Sequence, residues 1–226
     1  MAMKLDAVVP FGRSLAEYTE MFSLTATDLS QRILGVGDGP ASFNVEASQQ
    51  GATVVSVDPI YCFSGAEILQ RFDEVVDNII GQVKDTADDY VWQYHKSPED
   101  LRQNRERAIQ RFLADYEQGK QGDRYRVGEL PTLDFPDRFF GLALCSHLLF
   151  LYSDHLDYAF HRRAVLEMLR VSREVRVFPL LTLMLERSPH LDSLLIELRH
   201  LGYQAEIVRV AYQFQKGGNE MLVIRS

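Results

Sequence analysis

Cysteine is scarce in this 226-residue chain: there are two, Cys62 and Cys145, on apolar segments far apart in the sequence. With no C-x-x-C pair, a disulfide framework is excluded and a reducing cytoplasm is the expected compartment. Both thiols read as small core residues rather than nucleophiles. Long apolar runs are missing as well. None reaches the roughly 20 residues that a membrane-spanning helix requires. Met1-Ala2-Met3-Lys4-Leu5-Asp6 has no signal-peptide apolar region. Positive charge is in deficit, with 24 Lys and Arg against 32 Asp and Glu and a net charge of −8. Nucleic-acid backbones are gripped by clustered Lys and Arg, so a nucleic-acid partner is not expected. The six histidines, His95, His147, His155, His161, His190 and His200, fall into no H-x-x-x-H or H-E-x-x-H spacing, and no metal site is expected. A G-x-S-x-G elbow, a Walker A loop, internal repeats and low-complexity tracts are all absent. What remains is an ordinary globular composition, of a length that suits one domain over 1–226.

The stretch around which the chain is organised is Ile33-Leu34-Gly35-Val36-Gly37-Asp38-Gly39-Pro40-Ala41-Ser42-Phe43. Ile33, Leu34 and Val36 predict the end of a buried strand. A glycine turn follows, then a helix over 41–50 closed by Gly51. A second apolar run, Thr53-Val54-Val55-Ser56-Val57, ends on Asp58. Strand, glycine turn, helix, strand and terminal carboxylate together describe a nucleotide-binding unit, in which the glycines let the backbone approach a ligand. Asp58 falls where a carboxylate grips ribose hydroxyls.

The G-x-G-x-G spacing resembles motif I of class I S-adenosylmethionine-dependent methyltransferases, and Val57-Asp58-Pro59 resembles their following acidic motif. Further along, Leu130-Pro131-Thr132-Leu133-Asp134-Phe135-Pro136-Asp137-Arg138-Phe139-Phe140 is similar to the segment that precedes their fourth strand. The resemblance covers most of the chain. It implies S-adenosyl-L-methionine as cofactor, held by Tyr18, Gly35, Val36, Gly37, Asp38, Gly39, Asp58, Pro59, Glu129, Leu130, Cys145 and Ser146. It also implies a Rossmann-like three-layer α/β/α sandwich, with a seven-stranded, mostly parallel sheet and an antiparallel last strand. Two positions depart from the family. Many members carry an acid where Gly35 stands, and Ala41 replaces a common glycine.

Taken in order, Ser14-Leu15-Ala16-Glu17 is a capping box that opens a helix through Phe22. A short helix is predicted near 27–31. After strand 2, Ile68, Leu69, Phe72, Val75, Val76, Ile79, Ile80 and Val83 form a helical stripe over 67–83. Ser97-Pro98 opens another helix by Ser N-cap and Pro at its first position, and that helix stops near Gly119. Two long helices after strand 2 exceed an ordinary crossover. Residues 64–118 are read as a helical insertion that lies over the crevice as a lid. Strands are expected at 124–127, 142–145 and 174–178, with helices at 160–170 and 191–201. A hairpin of 205–214 and 220–224 about the turn 216–219 makes the last two strands antiparallel. That pairing opposes a nicotinamide-binding sheet, which would stay parallel.

Ligands in open α/β sheets bind beyond the carboxyl ends of the strands. His147, directly after strand 4, is the catalytic candidate, because an imidazole exchanges protons near neutral pH. Trp92, His95, Tyr152 and His155 are candidate substrate contacts. Arg102, Arg105, Arg107 and Arg111 read mostly as a solvated helix face, and Arg176, inside a strand, needs a carboxylate partner or an edge position. The expected activity is methyl transfer to a small-molecule acceptor. A non-catalytic module that binds S-adenosylmethionine and an NAD-dependent oxidoreductase are the alternatives.

Overall fold

The computed structural model describes residues 8–226, so the N-terminal hexapeptide read for a leader lies outside the described residues. Seven strands form one sheet: β1 (Arg32–Val36), β2 (Thr53–Val57), β3 (Tyr125–Arg126), β4 (Phe140–Ser146), β5 (Ser172–Phe178), β6 (Gln204–Arg209) and β7 (Glu220–Arg225). Their order is β3-β2-β1-β4-β5-β7-β6. Every neighbouring pair is parallel except those made by β7, which runs antiparallel to both β5 and β6. The expected mostly parallel sheet with one reversed last strand is therefore present. Strand order reverses direction between β1 and β4, which opens a crevice at the carboxyl ends of β1, β2 and β4.

Alternation along the central strands sorts side chains to two faces. Ile33, Leu142, Leu144 and Val223 meet α1 (Leu15–Phe22) and α3 (Phe43–Gln49), joined by the short α2 (Ala26–Leu29). Leu34, Val36, Ala143, Cys145, Val175 and Val177 meet α6 (Tyr158–Val171) and α7 (Leu191–His200). Both faces are covered, so the central strands carry apolar residues on both and the three-layer architecture follows. Ser14 and Glu17 complete the predicted capping box of α1. The N-cap of α6 is Asp157, its carboxylate accepting from the Phe160 amide at 2.7 Å, so the helix begins two residues before the expected 160.

Between β2 and β3 the chain forms α4 (Gly65–Asp85) and α5 (Pro98–Gln121), which share a third apolar cluster with Tyr61, Tyr90 and Tyr125. Ser64 and Glu67 box the start of α4; Ser97 caps α5, with Pro98 at its first position. A buried ion pair ties α5 to α1. Arg105 on α5, 2% exposed, donates to both carboxylate oxygens of Glu17 on α1, at 2.8 and 2.5 Å. Arg105 therefore does not belong to the solvated face to which the sequence assigned it. Arg176 finds its partners as required, at 2.8 Å from Asp28 and 2.6 Å from Glu174.

One predicted boundary moves in a way that matters. The strand expected over 205–214 ends at Arg209, whose last register partner is Glu220. Residues 210–219 leave the sheet and turn towards the insertion, where Val91 donates to the Phe214 carbonyl at 2.7 Å and Lys216 to that of Asp89 at 3.1 Å. Tyr212 and Phe214 are drawn out of the strand because Tyr90, Trp92, Tyr94 and His95 offer them an aromatic nest.

Arg105→Met tests the tie between the two parts. Removing one member leaves a carboxylate buried without its partner, so urea unfolding is expected to show a loss of about 3–5 kcal/mol. A change below about 1 kcal/mol, the range of an exposed pair, contradicts the buried assignment.

Candidate active site

The turn after β1 is built by backbone constraints. Gly37 adopts φ +68°, and a Cβ there would lie 2.7 Å from the Leu148 side chain, so both conformation and space require glycine. Its amide donates to the Val57 carbonyl at 2.9 Å. Two residues on, the Gly39 amide donates to one Asp58 oxygen at 2.8 Å while the Tyr61 hydroxyl donates to the Gly39 carbonyl at 2.7 Å. The other Asp58 oxygen accepts from the Ile60 amide at 2.9 Å, capping a single 3₁₀ turn over Pro59–Cys62. Asp58 is half-buried and burial raises its pKa. Two backbone donors still leave lone pairs free for ligand hydroxyls.

Asp38 explains the missing acid at position 35. A Cβ on Gly35 would lie 1.8 Å from Asp38 Oδ2: the Asp38 carboxylate folds back into the space that a side chain at 35 would fill. There it accepts from the Tyr18 hydroxyl and the Ser56 hydroxyl, each at 2.6 Å. Ser56 in turn receives Asn44 Nδ2 at 3.0 Å, and Arg124 donates to Asn44 at 2.8 Å. Tyr18 is fixed from its other side by stacking on Phe43, ring centroids 4.1 Å apart. Burial pushes the Asp38 carboxyl up to about 6 against the two hydrogen bonds that favour ionisation, with the nearby Asp58 charge adding to the rise.

Around this turn opens a cleft of about 920 Å³, within the size range of cofactor sites. Of the residues expected to hold a cofactor, Tyr18, Val36, Gly37, Asp38, Gly39, Asp58, Pro59, Glu129, Leu130 and Ser146 all line it. Gly35 and Cys145 do not. Gly35 makes room for Asp38; Cys145 is wholly buried in the core, its thiol pushed up to about 12 by that burial.

A second, smaller cavity of about 90 Å³ adjoins the cleft, and Val9, Phe11, Arg13, Ile79 and His147 line both. His147 thus stands at the boundary. It adopts φ +54°, donates its amide to the Phe178 carbonyl at 2.7 Å, and places Nδ1 2.9 Å from the Ser146 hydroxyl. Burial, reinforced by the Arg13 and Arg105 charges, holds its pKa well below the ordinary value, so the imidazole is neutral at neutral pH.

Among the candidate substrate contacts only Tyr152 lines the inner cavity. His95 is buried beneath it, 3.4 Å from Glu17 and from Arg105. Trp92 donates its indole N–H to the Ala87 carbonyl at 3.0 Å and packs on Phe214. His155 is exposed and lines neither space. The residues that sequence reasoning overlooked are Phe11, Arg13, Arg105, Tyr212 and Phe214. Nothing local in the chain marks Arg13. Only the fold shows that a Cβ at the neighbouring Gly12 would lie 2.2 Å from the Pro40 carbonyl, so that this segment threads against the glycine turn.

This architecture, with its glycine turn and acidic strand end at the switch point, is the class I methyltransferase fold. The methyltransferase domain of bacterial CtHen1-CN superimposes with a TM-score of 0.51 at 12% identity, over 94% of this chain and 98% of that one. Magnesium protoporphyrin IX methyltransferase (ChlM) from Synechocystis PCC 6803 gives 0.49 at 11% identity, over 94% and 78%. No protein-family model matches the chain. In sequence it is 35% identical over 227 residues to the uncharacterized protein MJ0045 of Methanocaldococcus jannaschii, across 99% of this chain and 98% of that protein. The chain belongs to the MJ0045 family.

Asp38 generates a pH dependence. Its pKa rises from 3.8 to about 6 on folding, so between these values the folded protein binds more protons than the unfolded chain. Stability from this group is present at low pH and is lost as pH rises through about 6. Relative to Asp38→Asn, which cannot ionise, wild-type stability is expected to decline by up to about 3 kcal/mol between pH 4 and 7. Urea denaturation of both proteins across that range measures it, and parallel profiles contradict it.

Proposed function

We propose that the protein is an S-adenosylmethionine-dependent methyltransferase acting on a small molecule held in the inner cavity. The observation that carries this reading is Asp58. Its carboxylate is clamped to the turn by Gly39 and Ile60, at the end of β2, with acceptor capacity left over on the cleft wall. The residues present fit such a donor. Asp58 would take the ribose hydroxyls, Pro59, Ile60 and Leu130 offer an apolar seat for a base, and Gly37 leaves backbone open where a side chain would block approach. Pro40, where a dinucleotide turn has its third glycine, speaks against a nicotinamide cofactor.

Bound there, S-adenosylmethionine supplies an electrophilic methyl group on a sulfonium. The chain's contribution is alignment and exclusion of water. The insertion supplies Val75, Asn78 and Ile79 to the cleft and Val83, Leu101 and Arg105 to the inner cavity, and we read 64–118 as a lid over both. His147, neutral and at the boundary, is placed to take a proton from the attacking group of the acceptor. Its Nδ1 is engaged with Ser146, which orients the ring and leaves Nε2 for that task. The cleft and cavity together suit a metabolite-sized acceptor.

Incubation with methyl-labelled S-adenosylmethionine and fractionated metabolite extract is expected to release S-adenosylhomocysteine and label a small molecule. His147→Ala is expected to slow that turnover by about 10²–10⁴-fold, the usual contribution of a general base, with S-adenosylhomocysteine affinity unchanged. Unaltered turnover removes His147 from the chemistry, and label recovered only in macromolecules contradicts the small-molecule acceptor.

A further inference from the structure

The wall between cleft and inner cavity holds an imbalance of charge. Arg13 lines both spaces. Its Nη1 donates to the Phe11 carbonyl at 2.9 Å, and its buried Nε has no hydrogen-bond partner among the described residues. Among the described residues, the Glu17 carboxylate, whose charge acts on Arg13, and the Asp38 carboxylate of the cleft are committed elsewhere. Glu17 takes both Arg105 donors and the Ser14 amide, with His95 and the Tyr212 hydroxyl also in reach. Asp38 is turned towards Tyr18 and Ser56. Arg105 therefore holds the Glu17 carboxylate, and among the described residues no carboxylate pairs with Arg13. Burial, with Arg105 adding to it, lowers the Arg13 pKa to about 10 against the opposing pull of Tyr212 and Glu17.

Arg13 is half-buried, and a partly desolvated cation is stabilised when a group of opposite charge completes it. The completing group must be an anion, and the surroundings say what else it is attached to. Phe11, Tyr90, Tyr152, Phe178, Tyr212 and Phe214 line the inner cavity. Its volume of about 90 Å³ is smaller than the ~150 Å³ cavity that admits benzene, so it takes the edge of a flat apolar body whose remainder faces the cleft. A guanidinium receives a carboxylate through charge-assisted hydrogen bonds, and Arg13 lines the space that such a group would enter.

We propose that the methyl acceptor is an organic anion, a carboxylate on a flat, mostly apolar body, and that Arg13 receives its charge beside His147. This inference rests on the methyl-transfer reading of the site. A second carboxylate with access to the cleft is the one on the donor's own methionine portion. The glycine-turn residues line the cleft alone, whereas Arg13 and His147 line both spaces, which favours the acceptor.

Benzoate and its neutral isostere benzamide are the probes, titrated by NMR into the full chain with and without saturating S-adenosylhomocysteine. Wild type is expected to bind benzoate about tenfold tighter than benzamide, the scale of one charge-assisted pair. Arg13→Gln is expected to bring the two within about twofold of each other, and Arg13→Lys to restore part of the preference, with S-adenosylhomocysteine affinity held within about threefold in both. Equal binding of the two probes by wild type overturns the proposal, as does a preference that survives Arg13→Gln. A tenfold loss of S-adenosylhomocysteine affinity in Arg13→Gln with the benzoate preference intact also overturns it and assigns Arg13 to the donor. The wild-type comparison stands even if Arg13→Gln does not fold. If S-adenosylhomocysteine fails to bind at all, the methyl-transfer reading falls, while the benzoate preference of the unliganded chain still decides whether an anion site exists.

Discussion

The Asp38 carboxylate, lodged in the space vacated at Gly35, is the constraint on which the site depends. It closes the end of β1, takes the Tyr18 hydroxyl from α1 and the Ser56 hydroxyl from β2, and so ties three elements at one point. An acid at position 35 would clash with Asp38, and Asp38 with no glycine at 35 would be forced into the cleft. The two positions exchange a carboxylate without losing it. A group so buried costs stability when ionised, and the chain accepts that cost where donors are pre-oriented around it. Structure at functional sites commonly carries such strain.

A second buried charge system does for the insertion what Asp38 does for the turn. Glu17 and Arg105 join α1 to α5, and His95 and Tyr212 complete the cluster from the 87–97 segment and the 210–219 connection. The burial of Glu17 opposes its ionisation, but Arg105 and the hydrogen bond from His95 outweigh it and hold the carboxyl well below the usual range. Four separate pieces of chain thus meet around one carboxylate, and the inner cavity is the space they leave against β5. The cavity is a product of long-range packing rather than of any one motif.

This difference explains what could be read from the sequence. The sheet was legible, because buried strands announce themselves as apolar runs and β7 through its pairing with β6. So were α4 and α5, whose stripes and caps are local. Asp58 and the glycine turn were legible because backbone geometry restricts which residues fit there. The inner cavity was not. Arg105 looks like any arginine of a polar helix until Glu17, 88 positions earlier, is brought against it. Tyr212 and Phe214 alternate like strand residues, and only the aromatic nest of the insertion draws them from the sheet. Arg13 gives no local sign at all.

The central claim is that the 37–39 turn and Asp58 form a seat for an adenosyl group. Calorimetric titration of wild type and Asp58→Ala with S-adenosylhomocysteine tests it most directly. The account predicts saturable one-to-one binding by wild type, weakened about tenfold or more when the carboxylate is removed, as loss of charge-assisted hydrogen bonds to hydroxyls requires. Absence of binding to wild type, or equal affinity in the two proteins, would contradict it.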